Sequence, residues 1–340
     1  MIDTALPPLP PELRASRPAA RRGVRRDHVR LLVIDRSSGR VGHSRFDRLP
    51  DLLGPGDLLV VNTSRVLPAA VAAVRASGEP VQLRPCVRRG RAWDALAVQV
   101  ASPHANVALA PGETLHVGEA ALRVLERRPD IPLLWQLELD TDADLELILR
   151  HGEPIRYSYV PEPVPLDAYQ PVYASRPGSA ESPSAGLPFS WELLRAVRER
   201  GAGVADLVLH TGLSSYQDDD FDREHRLYEE WFELGEATAD AVNRADRVIA
   251  VGTTVVRTLE TAAGEEGRVR PARGWTRLQI GPGRRLRAVD ALLTGMHEPE
   301  ASHFDLLRAF LPEPLLERAY REAIAAGYLW HEFGDAALVL

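Results

Sequence analysis

Apolar runs and amphipathic stretches alternate along the second half of the chain. Short apolar runs are typical of buried strands, whereas apolar residues spaced three and four apart are typical of helices. The predicted strands lie at 204–209, 247–251, 276–280 and 336–340, and the predicted helices at 190–200, 236–244, 254–263, 302–311 and 315–326. This alternation predicts an α/β domain in which helices cover a parallel sheet.

A different pattern covers residues 66–150. Short β-favouring runs follow one another there, separated by turn residues such as Ser77-Gly78 and Pro111-Gly112. The predicted strands lie at 69–75, 81–87, 93–100, 114–117, 121–126 and 133–139, and a predicted helix follows at 142–149. Regular spacing of this kind predicts a small barrel or sandwich. We expect a barrel-like domain inserted into an α/β domain that comprises residues 1–65 and 151–340.

The first part of the α/β domain contains a polar cluster at the end of a strand. A strand at 29–34 is predicted to form a hairpin with 41–46, and a strand at 58–61 runs into the cluster at 62–65. An ordinary Asx or Ser/Thr turn explains this cluster as well as a binding site does. Residues 154–189 are proline-rich and predicted to be largely irregular, which in a compact domain usually indicates a functional or mobile loop.

Length and composition narrow the class of protein. A chain of 340 residues can form two domains, and 45% hydrophobic with 26% charged residues is ordinary for a globular protein. Cys86 is the only cysteine, so neither a disulfide framework nor a cysteine-bound metal is expected. No basic segment precedes an apolar run near the start, and no stretch reaches transmembrane length. We therefore expect a cytoplasmic protein without a membrane partner.

Charge is unevenly distributed along the chain. All 41 basic residues are arginine, which excludes Schiff-base chemistry on lysine and a P-loop lysine. The net charge is −7, yet residues 1–50 carry 11 arginines against 5 acidic residues. The arginine-rich stretch 21–26 could contact the phosphates of a nucleic acid, although a solvated surface arm explains it at least as well.

Three ionisable residues are candidates for proton transfer. His210 follows the strand at 204–209, and His225 and Glu230 lie further on in a charged stretch. An imidazole titrates near neutral pH and a carboxylate can orient it, although a histidine taken alone is more often structural. The spacing of the three matches no known metal motif, so no metal site is predicted.

A small-residue turn, Gly252-Thr253-Thr254, joins the strand at 247–251 to a helix. Free N–H groups at such a helix start can bind a carboxylate or phosphate, and Arg257 lies one turn further on. Helix capping by a threonine explains the turn equally well. His297, at another strand-to-loop position, is a further candidate. No Gly-x-Gly-x-x-Gly follows a strand, which argues against a nicotinamide enzyme.

Several motifs considered together are more specific than any one of them. They lie at 60–66, 178–189, 209–212, 224–230, 250–260, 282–283, 290–297 and 333–336. The most distinctive is Ala-Val-Gly-Thr-Thr followed by Arg-Thr-Leu-Glu, within 250–260. In these motifs the chain resembles the S-adenosylmethionine:tRNA ribosyltransferase-isomerases of the queuosine pathway, over nearly its whole length. The resemblance implies a large α/β domain with a β-barrel inserted near the N-terminal third.

The resemblance also implies a transferase and isomerase reaction. The ribosyl part of S-adenosylmethionine would be transferred to 7-aminomethyl-7-deazaguanine in a tRNA anticodon. Rearrangement would then give epoxyqueuosine, with release of adenine and methionine. S-adenosylmethionine would be the ribosyl-donor substrate and no metal would be needed. The arginine-rich segment noted above could then contact the tRNA.

Roles for individual residues follow from the same resemblance. His210, His225 and Glu230 are expected at the proton transfers, beside the sulfonium group and the leaving adenine. The expected substrate-binding residues are Asn62, Arg65, Ser184, Gly186, Gly252, Thr253, Thr254, Arg257 and His297. Of these, the 252–254 turn and Arg257 would bind the methionine carboxylate or the ribose hydroxyls.

The chain departs from the family pattern at several expected site positions. Thr63 stands in place of an aspartate, Pro188 and Tyr228 in place of histidines, and Gly295 and Met296 in place of asparagine and phenylalanine. We therefore expect a divergent paralogue that keeps the sulfonium-binding scaffold. Two alternatives stay open: an enzyme that uses S-adenosylmethionine on a small-molecule acceptor or merely cleaves it, and a non-catalytic S-adenosylmethionine-binding protein.

Overall fold

The computed structural model describes residues 6–102, 105–139, 143–222, 228–298 and 302–340. The strands are β1 (Arg30–Asp35), β2 (Arg40–Arg45), β3 (Asp57–Asn62), β4 (Ser64–Val66), β5 (Ala70–Arg75), β6 (Pro80–Arg89), β7 (Ala92–Val98), β8 (Thr114–Val117), β9 (Ala120–Arg127), β10 (Leu134–Leu139), β11 (Gly152–Glu153), β12 (Arg176–Ser179), β13 (Gly203–Leu209), β14 (Glu230–Leu234), β15 (Arg247–Val251), β16 (Ala272–Thr276), β17 (Ala291–Gly295) and β18 (Ala336–Val339). The α-helices are α1 (Asp144–His151), α2 (Trp191–Glu199), α3 (Asp219–Asp222), α4 (Glu236–Arg244), α5 (Thr253–Ala262), α6 (Ser302–Leu307) and α7 (Glu313–Ala325). Short 3-10 helices lie at Pro11–Leu13, Ala19–Arg22, Arg26–His28, Phe46–Leu52, Leu166–Tyr169 and Ser184–Gly186.

The larger sheet is parallel at its centre and antiparallel at its edges. Within the described ranges its strand order is β16-β14-β13-β3-β15-β17-β18-β1-β2. The central strands β13, β3, β15 and β17 are parallel to one another. The hairpin β1–β2 forms one edge and the antiparallel pair β14–β16 forms the other. The predicted parallel, helix-covered sheet is therefore confirmed for the centre, while strand direction at the edges depends on connections that local patterns do not reveal.

Side chains alternate between the two faces of this sheet, and helices cover both. On β3, Leu58 and Val60 pack into the core beneath α4, α5 and α7, whereas Leu59 and Val61 pack into the core beneath α2. Burial on both faces explains why the central strands are nearly continuous apolar runs. Among the described residues, none of the helices combines the length and apolar character that a membrane crossing needs.

The smaller sheet closes into a barrel. Its strand order is β11-β5-β6-β7-β10-β9-β8, and a further pairing between β5 and β8 joins its ends. Apolar side chains such as Leu83, Leu96 and Leu137 fill a core of its own. The predicted α/β fold with a barrel-like insertion is thus confirmed. The division of the chain into domains at residues 66 and 150 stays a prediction, and the barrel sheet itself runs from β5 to β11.

Two predicted elements differ from the structure by more than two residues at an end. The strand predicted at 276–280 lies at Ala272–Thr276, where it pairs with β14 from Glu230 opposite Thr276 to Leu234 opposite Ala272. Such pairing with a distant strand has no local sequence signal. The helix predicted at 302–311 ends earlier, at Leu307.

The arginine-rich N-terminal segment lies against the main domain. The Trp330 N–H donates to the Leu13 carbonyl oxygen at 2.8 Å, and the Ala15 N–H donates to the Trp330 carbonyl oxygen at 3.1 Å. Arg22 donates to the carbonyl oxygen of Phe333 at 2.8 Å. The segment is therefore anchored to the turn before the last strand, while phosphate contact by the stretch 21–26 and its alternative, a solvated surface, both stay predictions.

A buried charged cluster joins the barrel to the edge of the larger sheet. Asp94 on β7 is fully buried and accepts hydrogen bonds from Arg89 Nε at 2.5 Å and from the Tyr228 hydroxyl at 2.7 Å. Arg128 of the barrel donates to the same hydroxyl at 2.8 Å. Arg89 also pairs with Glu229, beside β14, at 2.6 Å. Because a buried charge must be paired, this cluster holds the segment that leads into β14 against the barrel.

Replacing Tyr228 with Phe should lower the free energy of unfolding by about 1–3 kcal/mol, because Asp94 loses a buried donor and Arg128 a buried acceptor. Chemical denaturation of the purified variant measures the change. Tyr159→Phe is the matched control, since the buried Tyr159 hydroxyl has no hydrogen-bond partner among the described residues. Equal effects of the two substitutions would show that the Tyr228 hydroxyl does not contribute through its hydrogen bonds.

Candidate active site

A cavity of about 580 Å³, called the large cavity below, opens at the carboxyl ends of the central strands. Thr211 and Gly212, which follow β13, line it together with Gly252, which follows β15. Strand β13 lies on one side of β3 and β15 on the other, so the direction of strand addition changes at β3. Open α/β sheets bind ligands in the crevice at such a point.

The start of α5 forms one wall of the large cavity. Gly252, directly before the helix, has a φ of 88°, a left-handed conformation that favours glycine. Its N–H donates to the Leu293 carbonyl oxygen at 2.8 Å. Thr253 and Thr254 open the helix and line the cavity. Because N–H groups of a first helical turn have no acceptor within the helix, this wall offers hydrogen-bond donors and partial positive charge.

Asn62 holds this wall in place from behind. Its side-chain oxygen accepts hydrogen bonds from the N–H groups of Ser64 and Leu209, each at 3.0 Å. Its side-chain nitrogen donates to the Leu209 carbonyl oxygen at 2.9 Å and to Thr254 Oγ1 at 3.3 Å. All four hydrogen-bonding positions of the amide are therefore used within the protein. Asn62 orients the strand ends and does not itself line the large cavity.

Glu230 and Arg257 form a buried ion pair in the large cavity. The Glu230 carboxylate also accepts a hydrogen bond from the Gly212 N–H at 2.9 Å. Arg257 Nε donates to the Leu278 carbonyl oxygen at 2.9 Å. The Arg257 nitrogen Nη2 is buried and has no partner among the described residues. A buried donor of this kind offers a binding position for a ligand oxygen.

A second carboxylate, Glu181, lies in the same cavity. It accepts a hydrogen bond from the Ser214 N–H at 3.1 Å, and its carbonyl oxygen accepts one from the Thr211 hydroxyl at 2.6 Å. Desolvation on burial, assisted by the negative charge of Glu230, raises the pKa of Glu181 to about 7. A carboxyl group with such a pKa can take up and release a proton near neutral pH.

His210 lies behind the cavity wall and is not part of its lining. Its Nδ1 is 2.8 Å from Ser64 Oγ, which in turn is 2.6 Å from Ser179 Oγ. Ser179 Oγ accepts a hydrogen bond from the Thr211 N–H at 2.9 Å, and the imidazole stacks on Trp231. Desolvation lowers the pKa of His210 to about 4. The ring is therefore neutral at pH 7 and connects β4 and β12 to the cavity wall.

The opposite end of the large cavity carries a second polar cluster. Glu298 lies 3.1 Å from His331 Nε2 and 3.0 Å from the Arg14 guanidinium. The hydrogen bond with His331 is the main cause of a lowered pKa of Glu298. The His331 ring stacks on Tyr159, with ring centroids 4.3 Å apart. This end of the site is thus charged and held by the N-terminal segment and the turn before β18.

The large cavity brings together most of the residues predicted from sequence. Those in its lining are Ser184, Glu230, Gly252, Thr253, Thr254, Arg257 and His297. Of the others, Arg65 is exposed on β4 outside the lining. Gly186 is also outside it and packs closely, since a Cβ there would lie 2.9 Å from Pro171. His225 falls outside the described residues.

Sequence reasoning missed the ionisable residues Glu181, Glu298, His331 and Glu332, which also line the large cavity. Glu181 lies within the motif at 178–189, where a carboxylate in a run of small residues is a signal that could have identified it. His331 and Glu332 lie in the turn before the last strand, far along the chain from the other lining residues. No local pattern connects them with the site.

Comparisons with known proteins agree with this geometry. The family described as "Queuosine biosynthesis protein" matches residues 8–339. The chain is 40% identical over 339 residues to the S-adenosylmethionine:tRNA ribosyltransferase-isomerase of Rubrobacter xylanophilus, with 98% of this chain and 95% of that protein covered. It is 38% identical over 343 residues to the protein of the same name from Thermus thermophilus, with 98% and 97% covered.

A solved structure adds a three-dimensional comparison. It is the crystal structure of S-adenosylmethionine tRNA ribosyltransferase from Thermotoga maritima, which matches with a TM-score of 0.54 and 28% sequence identity. The match covers 98% of this chain and 99% of that chain. The chain therefore belongs to the S-adenosylmethionine:tRNA ribosyltransferase-isomerase family of queuosine biosynthesis proteins.

Proposed function

We propose that this chain is a transferase and isomerase that transfers the ribosyl part of S-adenosylmethionine to 7-aminomethyl-7-deazaguanine in a tRNA. Isomerisation gives epoxyqueuosine, and adenine and methionine are released. The observation that carries the proposal is the large cavity, whose walls combine the first turn of α5 with the carboxylates Glu181 and Glu230. The names of the similar proteins from R. xylanophilus and T. thermophilus support it.

The charges of the large cavity suit S-adenosylmethionine. Its volume of about 580 Å³ lies within the usual range for small-molecule sites, about 300–1,000 Å³. The sulfonium group is cationic, and carboxylates such as Glu230 and Glu298 attract it. The methionine carboxylate is anionic and suits the N–H groups at the start of α5. The Arg257 nitrogen that has no partner in the described part of the chain supplies a further donor.

Proton transfer in this proposal depends on Glu181, with Glu230 beside it. A sulfonium group acidifies the protons on the neighbouring carbon, and a base with a pKa near 7 can remove one at neutral pH. Burial gives Glu181 such a pKa, about 7. Glu230 carries a negative charge that can stabilise the positive charge developing on the ribosyl group as adenine leaves.

His210 has a positioning role in this proposal. Its neutral ring is hydrogen-bonded to Ser64, and through Ser179 this contact reaches the backbone of Thr211 in the cavity wall. A base whose pKa is about 4 removes protons poorly at pH 7, so His210 acts through the wall that it supports. Direct proton transfer by His210 or by His225 stays a prediction from the sequence.

With a tRNA as acceptor, the protein works in the cytoplasm.

Incubation of the purified chain with S-adenosylmethionine and a tRNA carrying 7-aminomethyl-7-deazaguanine should release adenine and methionine in equal amounts. Chromatography and mass spectrometry of the products and of the digested tRNA measure the reaction. The matched control is the same tRNA with guanine at that position, which lacks the nucleophilic amine. Release of adenine without the modified tRNA would instead support cleavage or a small-molecule acceptor. Binding without release would indicate a non-catalytic protein.

Glu181→Gln should lower turnover by about 10²–10⁴-fold, which is the usual contribution of a positioned general base. The wild-type rate should fall as the pH drops below about 7, because protonated Glu181 cannot accept a proton. The variant should lose the part of this fall that protonation of Glu181 causes. Glu146→Gln, exposed on α1 of the barrel, is the control and should behave as wild type. A variant with wild-type turnover would exclude Glu181 as the base.

The wild-type protein and Glu181→Gln also test the raised pKa of Glu181 directly. The pKa of Glu181 is about 7 in the folded state against an ordinary value of 4.5, so the folded state binds more protons between these values. Stability therefore falls as the pH rises from about 4.5 to about 7, and Glu181→Gln removes this contribution. Denaturation curves of the two proteins across this window give the difference. A constant difference would contradict the raised pKa.

A further inference from the structure

A second, smaller cavity lies beside the large one and is called the small cavity below. Its volume is about 250 Å³. Ser184, Ala185, His331 and Glu332 line both cavities and so form a shared wall between them. Two molecules bound one in each cavity would meet at this wall.

Glu332 is the carboxylate of the shared wall. Its Oε2 is buried and has no hydrogen-bond partner among the described residues. Desolvation raises the pKa of Glu332 to about 7. A buried carboxylate oxygen without a donor costs free energy, so its presence points to a ligand that supplies one.

The turn that carries Glu332 is held by the fold. His331 has a φ of 71°, and its N–H donates to the Met296 carbonyl oxygen at 2.9 Å. The Gly334 N–H donates to the His331 carbonyl oxygen at 3.0 Å. A left-handed conformation is uncommon for a residue other than glycine and persists only where surrounding contacts impose it. These contacts therefore determine where the Glu332 carboxylate lies.

The remaining walls of the small cavity are mostly apolar. They include Ala168, Leu187, Pro188 and Phe333. Mostly apolar walls with a few polar groups suit a single aromatic base, which is how enzymes that act on nucleobases hold a base taken out of its stack. Bases in single-stranded RNA loops are available for such binding.

Two arginines of the N-terminal segment, Arg21 and Arg26, also line the small cavity. Arg21 donates to the carbonyl oxygen of Pro163 at 2.9 Å, Arg22 donates to that of Phe333 at 2.8 Å, and Arg25 pairs with Asp27 at 2.9 Å. Arg21 is exposed and Arg26 half-buried. Guanidinium groups beside a base-sized cavity suit the phosphates that flank a nucleotide.

We propose that the small cavity is the acceptor site, which takes the deazaguanine base of the tRNA with its aminomethyl group at the shared wall beside Glu332. This inference rests on the function proposed above. The aminomethyl nitrogen must bond to a ribosyl carbon held in the large cavity, so it has to lie at the wall that the two cavities share. Glu332 is the carboxylate of that wall, and an ammonium group is the donor that its buried oxygen lacks.

Glu332 prepares the acceptor for attack. At neutral pH the aminomethyl group is an ammonium, R–CH₂–NH₃⁺, and has no lone pair. Glu332 accepts one proton, which gives R–CH₂–NH₂ and a neutral carboxyl group. The freed lone pair forms the bond to the ribosyl carbon as the carbon–nitrogen bond to adenine breaks and its electron pair leaves with adenine. The new secondary ammonium then loses the proton that adenine takes up, so charge and atoms balance.

Two departures from the family pattern, Pro188 and Gly295, line the small cavity. The pattern has histidine and asparagine at these positions, so this chain lacks two polar side chains there. A Cβ at Gly295 would lie 3.5 Å from His297 Nε2 and 3.8 Å from Ser184 Oγ, which are ordinary contacts. A side chain can therefore be added at Gly295, where it would take up space at the shared wall.

Glu332→Gln tests the assignment with adenine release from S-adenosylmethionine and the aminomethyl-deazaguanine tRNA, measured as a function of pH. At pH 7 we expect kcat to fall by about 10²-fold or more, as for loss of a general base. The KM for the tRNA should rise about tenfold with the lost ion pair, and the calorimetric Kd for S-adenosylmethionine should change less than about twofold. The defect should shrink towards pH 9–10, because an alkyl ammonium with a pKa of about 10 then loses its proton to water.

Glu236→Gln, exposed at the start of α4, is the matched control and should behave as wild type. If the wild-type protein releases no adenine with this tRNA, the proposed function itself fails. If the wild type turns over and Glu332→Gln keeps its KM, kcat and pH profile, only the role of Glu332 is overturned. A fall in kcat that stays the same up to pH 10 would also overturn the role of Glu332, because high pH restores a rate only where a base has been lost.

Gly295→Leu, which adds a side chain that the family pattern does not have there, provides a second test that leaves the carboxylate in place and serves if Glu332→Gln does not fold. The added side chain narrows the small cavity, so the KM for the tRNA should rise about tenfold, as is usual for a steric change in a binding pocket. The Kd for S-adenosylmethionine should stay within about twofold of wild type. An unchanged KM for the tRNA would overturn the small cavity as the acceptor site.

Discussion

The hydrogen bonds of Asn62 hold together the three elements that surround the large cavity. Asn62 ends β3, and its amide binds the backbone of Leu209 at the end of β13 and the side chain of Thr254 in the first turn of α5. All of its donors and acceptors are used, so the strand ends keep their geometry without a ligand. The groups that act on a substrate can therefore project from a wall that is already in position.

Partly buried carboxylates give this prearranged site its chemistry. Arg257 balances the negative charge of Glu230, whereas desolvation raises the pKa values of Glu181 and Glu332 to about 7. Burial of such groups costs stability, and the sheet with helices packed on both faces supplies the apolar burial that offsets this cost. The same site thus combines a carboxylate held in an ion pair with two that can exchange protons near neutral pH.

The barrel contributes to the site through its contact with the edge of the larger sheet. Tyr228 lines the large cavity and is also hydrogen-bonded to Asp94 inside the barrel. Tyr216, another lining residue, is buried in the core of the barrel. A change in how the barrel packs against the edge of the larger sheet would therefore move residues of the large cavity. This connection gives the inserted unit a physical role in shaping the site.

The sequence by itself determined the elements with strong local patterns and, through the motif at 250–260, the family. The helix predicted near 236–244 and the strand predicted at 247–251 lie there in the structure, because apolar periodicity and turn residues act between near neighbours. Only the tertiary structure decided that Asn62 serves as a scaffold and that Glu332 and Ser184 lie in one wall shared by two cavities. Desolvation, which sets the pKa of Glu181, arises from packing between segments distant in sequence, and no single stretch of the chain encodes it.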